Sequence, residues 1–113
     1  MNALVDVYQS VECKACSALN QVVGATLVFE RDKATWFVAA TGAEFKPAEN
    51  VADATRMAMA LHLQVTPYAT ELVVKRQGVE FTWLHTQRIE SYRKFTDSDY
   101  CEAVVHAAAR LYK

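Results

Sequence analysis

The chain has 113 residues and a mass of 12.7 kDa, enough for one domain with a sizeable core and too few for two. Apolar types make up 52% and charged types 22%, an ordinary globular balance that excludes wholesale disorder. Twelve basic residues against 13 acidic ones give a formal charge of -1, so no global field recruits nucleic acid or an anionic membrane.

The first segment, Asn2 to Val23, lacks Gly and Pro. At about 100° per residue, Leu4, Tyr8, Val11, Ala15, Leu19 and Val22 fall on one stripe, widened by Val5, Cys16 and Val23. Asn2, Asp6, Gln9, Ser10, Ser17, Asn20 and Gln21 collect opposite, with Cys13 among them, and only Glu12 stands on the wrong side. The segregation predicts an amphipathic helix that ends near Gly24.

From Ala25 the period changes. Leu27 and Phe29 alternate with Thr26, Val28 and Glu30, and after Arg31-Asp32-Lys33 the run Thr35 to Thr41 is β-branched and aromatic, which predicts a hairpin. Thr41 to Glu49, with Gly42 and Pro47, reads as loop. Asn50 then suits an N-cap, with Asp53 three residues on and Val51, Ala54, Met57, Ala58 and Leu61 as the helical stripe. That helix must stop before Thr66-Pro67, because the residue before proline is pushed out of the α region.

Leu72 to Lys75 and Val79 to Thr86 bracket Gln77-Gly78 as a second hairpin, with Val79, Phe81 and Trp83 on one face. The last helix opens with Phe95-Thr96-Asp97-Ser98-Asp99-Tyr100: Thr96 is the cap, Asp99 its acidic answer, and Phe95 a staple for Tyr100. Tyr100, Val104, Ala107 and Leu111 are expected to face the core. The sum is a single domain over residues 1–113 in the order α-ββ-α-ββ-α. Its class is α+β, with a mainly antiparallel sheet of at least four strands under packed helices.

Cys13-Lys14-Ala15-Cys16 is the motif with chemical potential, since two thiols at this spacing close a disulfide when the first is a low-pKa thiolate. With Thr66-Pro67 ahead of Leu72 to Lys75 and the Gly78 turn, it resembles the thioredoxin and glutaredoxin superfamily. That resemblance implies the order βαβαββα and a thiol-disulfide oxidoreductase: Cys13 attacks, Cys16 resolves, and Pro67 is the cis-proline beside them. In the competing helix Cys13 lies on the polar side and Cys16 is an ordinary buried thiol. Cys13 and Cys16 also make half a zinc site, to be completed from Cys101, His62, His85 or His106; no second close-spaced pair exists, so no metal or other cofactor is expected. For hydrolysis there is no nucleophile with a recognisable base and no phosphate-cradling glycine loop.

The segment 75–95 interleaves Lys75, Arg76, His85, Arg88, Arg93 and Lys94 with Phe81, Trp83, Tyr92 and Phe95. Cations among aromatics hold a phosphate, stack a base or face a protein. Of these, Lys75, Arg76, Trp83, His85, Arg88, Tyr92, Arg93 and Lys94 are read as a protein-binding surface, with nucleic acid or an anionic ligand as the lesser reading.

The opening also resembles that of Roadblock-type adaptors: a helix, then Val22-Val23-Gly24-Ala25-Thr26-Leu27-Val28-Phe29-Glu30-Arg31-Asp32, then a further strand and helix. The resemblance implies a dimeric, non-enzymatic module that docks onto partner proteins. Both hairpins put apolar groups on both strand faces, Trp36 and Phe37 in one and Val73 and Leu84 against Trp83 in the other, so a homodimer is expected to cover the remainder. The competing expectation is that the loop carrying Phe45 folds over that face. Met1 to Gln9 lacks the positive start of a secretory signal, no apolar run approaches the roughly 20 residues that span a bilayer, and three cysteines make no disulfide framework. A reducing cytoplasm is the expected compartment.

Overall fold

Three helices and six short strands alternate along the residues that the computed structural model describes, which are 11–23, 27–29, 36–38, 41–78 and 82–112. Helix α1 is Val11–Val23, and strands β1 (Leu27–Phe29), β2 (Trp36–Val38) and β3 (Glu44–Phe45) follow it. Helix α2 is Val51–Ala60; β4 (Leu63–Tyr68), β5 (Glu71–Arg76) and β6 (Thr82–Arg88) lead to helix α3, Asp97–Ala109. The class is α+β, and every strand pairing among these residues is antiparallel.

Both expected hairpins form. Leu27 faces Val38 and Phe29 faces Trp36 in the first, and β5 pairs with β6 from Glu71–Arg88 to Arg76–Thr82 in the second. A sheet of four or more strands is not what the described residues make: they form two three-stranded sheets, β1-β2-β3 and β4-β5-β6. Two strands went unread in the sequence. Glu44–Phe45, expected as loop, pairs with β2, and Phe45 is buried beside Trp36 in the core. Leu63–Tyr68 pairs with β5 as an edge strand, the one sheet position that accepts Pro67 without losing a ladder bond.

The thioredoxin-like order fails on the same observations. It needs Gly24 to Phe29 inside a helix, whereas Leu27–Phe29 is strand. Pro67 is exposed in β4 while Cys13 and Cys16 lie in the core, so the three are not brought together.

The local signals for helix ends hold. Asn50 Oδ1 accepts from the Asp53 N–H at 3.1 Å, and Ala54, Met57, Ala58 and Leu61 are buried as the stripe requires. Helix α2 stops at Ala60, ahead of Thr66-Pro67, and His62 takes a left-handed φ of 57° that turns the chain into β4. Thr96 and Asp99 form a reciprocal capping box: Asp99 N–H donates to Thr96 Oγ1 at 3.2 Å, and Thr96 N–H donates to Asp99 Oδ2 at 2.9 Å. Phe95 remains 41% exposed.

Helix α3 sits between two cores. Cys101, Val104, Val105 and Ala108 join α1, α2, Trp36 and Phe45; Ala103 and Ala107 join Leu72, Val74, Leu84 and Ile89 of the second sheet and its exit. Far more of α3 is therefore buried than the one stripe read from the sequence. Helix α1 differs as well. Cys13, expected on the polar side, is buried because it joins the cluster that α1 shares with α3, and the side-chain oxygen of Asn20 is buried without a hydrogen-bond partner among the described residues. The segment 1–10, which carries the first part of the expected helix, lies outside the described residues, as do Gly24, Val79 and Phe81.

The capping box gives a direct test. Thr96→Ala is expected to lower stability by about 1 kcal/mol, read as a lower urea midpoint with an unchanged slope. An unchanged midpoint would mean that the cap does not hold the helix start.

Candidate functional site

The registers of β4, β5 and β6 sort the basic-aromatic segment. Leu72 and Val74 are buried against α3, so their neighbours in sequence face away from it. Three cross-strand rows result on the outer side: Gln64-Lys75-Trp83, Thr66-Val73-Thr86, and Tyr68-Glu71-Arg88. A bulge makes this possible. Val74 faces His85 but Lys75 faces Trp83, so Leu84 is an extra residue that turns inward and hands Trp83 to the outer side.

Of the expected surface residues, Lys75, Trp83 and Arg88 share this face. Trp83 is 51% exposed, its Nε1–H donates to Thr86 Oγ1 at 2.9 Å, and the Arg110 guanidinium lies 5.2 Å from its ring. Tyr92, Arg93 and Lys94 form a separate patch beyond the other end of β6. The Tyr92 N–H donates to Ala69 O at 3.1 Å, which ties this patch to the β4–β5 turn next to Tyr68. Arg93 Nε donates to Tyr92 Oη at 2.8 Å, and Lys94 lies 3.7 Å from Glu90. Trp83 and this patch stand at opposite ends of β6, roughly 15 Å apart along the strand.

Two expected surface residues do not join the outer face. His85 turns toward α3 and stacks on His106 with centroids 5.0 Å apart. Arg76, on the side of Leu72 and Val74, lines a cleft with Gln21, Val22, Arg110 and Leu111. Sequence reasoning missed Arg110 and Tyr68. Their positions depend on where α3 ends and on a strand that was not foreseen.

The outer face is mixed rather than apolar: its rows alternate amides, hydroxyls and charges with Val73, Tyr68 and Trp83. Phe45 is meanwhile in the core.

Cys13, Cys16 and Cys101 are buried in one cluster. Burial pushes all three thiols up from their ordinary value, and the neighbouring Glu12 pushes Cys13 and Cys16 further. A Ser17 hydrogen bond opposes this at Cys13 without outweighing it. This environment favours the thiol over the thiolate that attack on a disulfide requires. No group of three or more His, Cys, Asp or Glu among the described residues is arranged to hold a metal, and no helix among them is long and apolar enough to cross a membrane.

No family model, curated protein or solved structure matches the chain. Its chemistry is read from its own side chains.

One further cleft, of about 210 Å³, brings Glu12, Ser98, Glu102 and His106 together over Val11, Ala48 and Val105. Glu12 Oε2 accepts from the Ala48 N–H at 2.9 Å, which is why a carboxylate stands on the apolar side of α1. Burial still raises its pKa, aided by Glu49 and Asp53 and opposed by the Ala48 bond and Lys46. Burial also lowers the pKa of His106, and His85 and Arg110 add to this; Glu102, 3.8 Å away, pulls the other way.

Because folding raises the Glu12 pKa, its ionisation above about pH 4.5 costs the folded state more than the unfolded one. Glu12→Gln, whose Oε1 still accepts from Ala48, is expected to be more stable than the parent at pH 7. The advantage should shrink as the pH falls toward 4.5. Urea unfolding at the two pH values checks this, and equal stability at pH 7 would contradict it.

Proposed function

We propose that the chain is a small, non-enzymatic binding protein that docks a partner protein on the outer face of the β4-β5-β6 sheet. The observation that carries this is the pair of exposed aromatics at its two ends, Trp83 at 51% and Tyr68 at 48%, flanking the compact row Thr66-Val73-Thr86. Trp, Tyr and Arg dominate the energetics of protein interfaces. Among the described residues Lys75 and Arg88 stand on the face against Glu71 alone, and Arg93 and Arg110 adjoin it, so the complementary partner surface is acidic. Three cysteines, too few for a disulfide framework, support a reducing cytoplasm as the compartment.

A photo-crosslinking residue at Thr66 is expected to trap one discrete protein in cells, and the same residue at the exposed His62 is not. Trp83→Ala should weaken binding to the trapped protein at least tenfold with an unchanged urea midpoint. Equal trapping from position 62, adducts with nucleic acid alone, or undiminished binding by Trp83→Ala would each overturn the proposal.

Self-association is the second part of the reading. Helix α2 leaves Val51, Ala52 and Met59 exposed, Met59 at 72%, a large apolar side chain on the side turned from the core. A two-fold pair is the commonest way to cover such a stripe. Sedimentation at micromolar concentration is expected to show a dimer that Met59→Glu converts to a monomer, and a strictly monomeric parent would refute it.

A further inference from the structure

We propose that the cleft between the C-terminal ends of α1 and α3 and the end of β5 binds a carboxylate carried on an apolar body, in the form of an acidic side chain and its apolar neighbour on a partner peptide. The proposal deepens the docking reading and rests on it for the ligand being a peptide. The cleft holds about 300 Å³ and is lined by Gln21, Val22, Arg76, Arg110 and Leu111. That volume is at the low end for ligand sites, with room for two side chains rather than a nucleotide.

The charge of the lining selects the ligand. Arg76 and Arg110 both line the cleft, no carboxylate among the described residues lines it, and neither arginine forms an ion pair with any of them. Three acids elsewhere lie beside a basic residue: Glu44 by Lys46, Glu90 by Lys94 and Glu102 by His106. Two cationic residues lining one small cleft repel each other, and an anion bound there relieves that repulsion. Guanidinium presents a planar fork of donors that matches a carboxylate bidentately. The rest of the lining chooses what the carboxylate is attached to. Val22 is 43% exposed and Leu111 half-buried, so an apolar group beside the acid covers aliphatic surface that otherwise stays wet.

Arg110 also gives the site a reporter. Its guanidinium lies 5.2 Å from the Trp83 ring, so an anion that engages Arg110 alters the surroundings of the indole. The other tryptophan, Trp36, is only 6% exposed, so a neutral quencher such as acrylamide reads Trp83 selectively.

The probe is the capped peptide N-acetyl-Leu-Asp-Leu-amide, titrated against the full chain with acrylamide quenching as the signal. Saturable protection of Trp83 is expected. It should be lost with the Asn version of the peptide and weakened at least tenfold in Arg76→Gln and in Arg110→Gln, both with the parent's urea midpoint. Equal protection by the Asn peptide, full affinity in both variants, or a response to inorganic phosphate without one to the peptide would overturn the proposal. The two readings separate cleanly: crosslinking at Thr66 that persists in Arg110→Gln, with no peptide response, leaves the docking face standing and removes the cleft. Peptide binding with no protein trapped at Thr66 does the reverse.

Discussion

Helix α3 is covered on two sides, and the rest of the molecule is arranged around that fact. Its buried residues are Cys101, Ala103, Val104, Val105, Ala107 and Ala108, none larger than valine. Small side chains let a helix approach its neighbours closely. Here they admit the second sheet on one side and α1 and α2 on the other. A larger residue at Ala107 would push Leu72, Val74 and Leu84 away; one at Ala108 would press on the opposite core. Leu63 and Val65 at the start of β4 pack against both clusters and tie them together. The capping box at Thr96 sets where this central helix begins, and its end at Ala109 sets where Arg110 and Leu111 emerge.

The surface chemistry inherits its layout from that packing. Because Leu72 and Val74 turn inward to meet α3, Lys75 must turn outward and Arg76 inward again, toward the end of the helix. The extra residue Leu84 shifts the register of β6 by one, and Trp83 thereby stands opposite Lys75. One cationic run of sequence becomes three separate things: an outer face, a loop patch around Tyr92, and a cleft shared with Arg110.

The cysteine pair shows how spacing and chemistry come apart. Cys13 and Cys16 lie one turn apart on α1, and both are buried, with Cys101 of α3 in the same cluster. In that setting a thiol acts as a small apolar group with a weak polar edge. Glu12 is the polar exception on the same side, retained because its carboxylate satisfies the Ala48 N–H ahead of α2.

The sequence by itself determined what depends on near neighbours. Asn50 with Asp53, and Thr96 with Asp99, announce helix starts because a cap is made by residues three apart. Thr66-Pro67 bars a helix from running through that point for a steric and equally local reason. Both hairpins were legible from alternation in adjacent runs, although β3 and β4 were not: two residues are too few to show a period, and Pro67 reads as a break until its strand is known to be an edge. Tertiary structure alone decided that Cys13 is buried, that Arg110 meets both Trp83 and the Arg76 cleft, and that His85 faces His106 rather than solvent. Each of these depends on which segment, tens of residues away, lies against the side chain. Periodicity marks the face a helix or strand prefers to bury, and the partner's width fixes how much of the rest is buried with it.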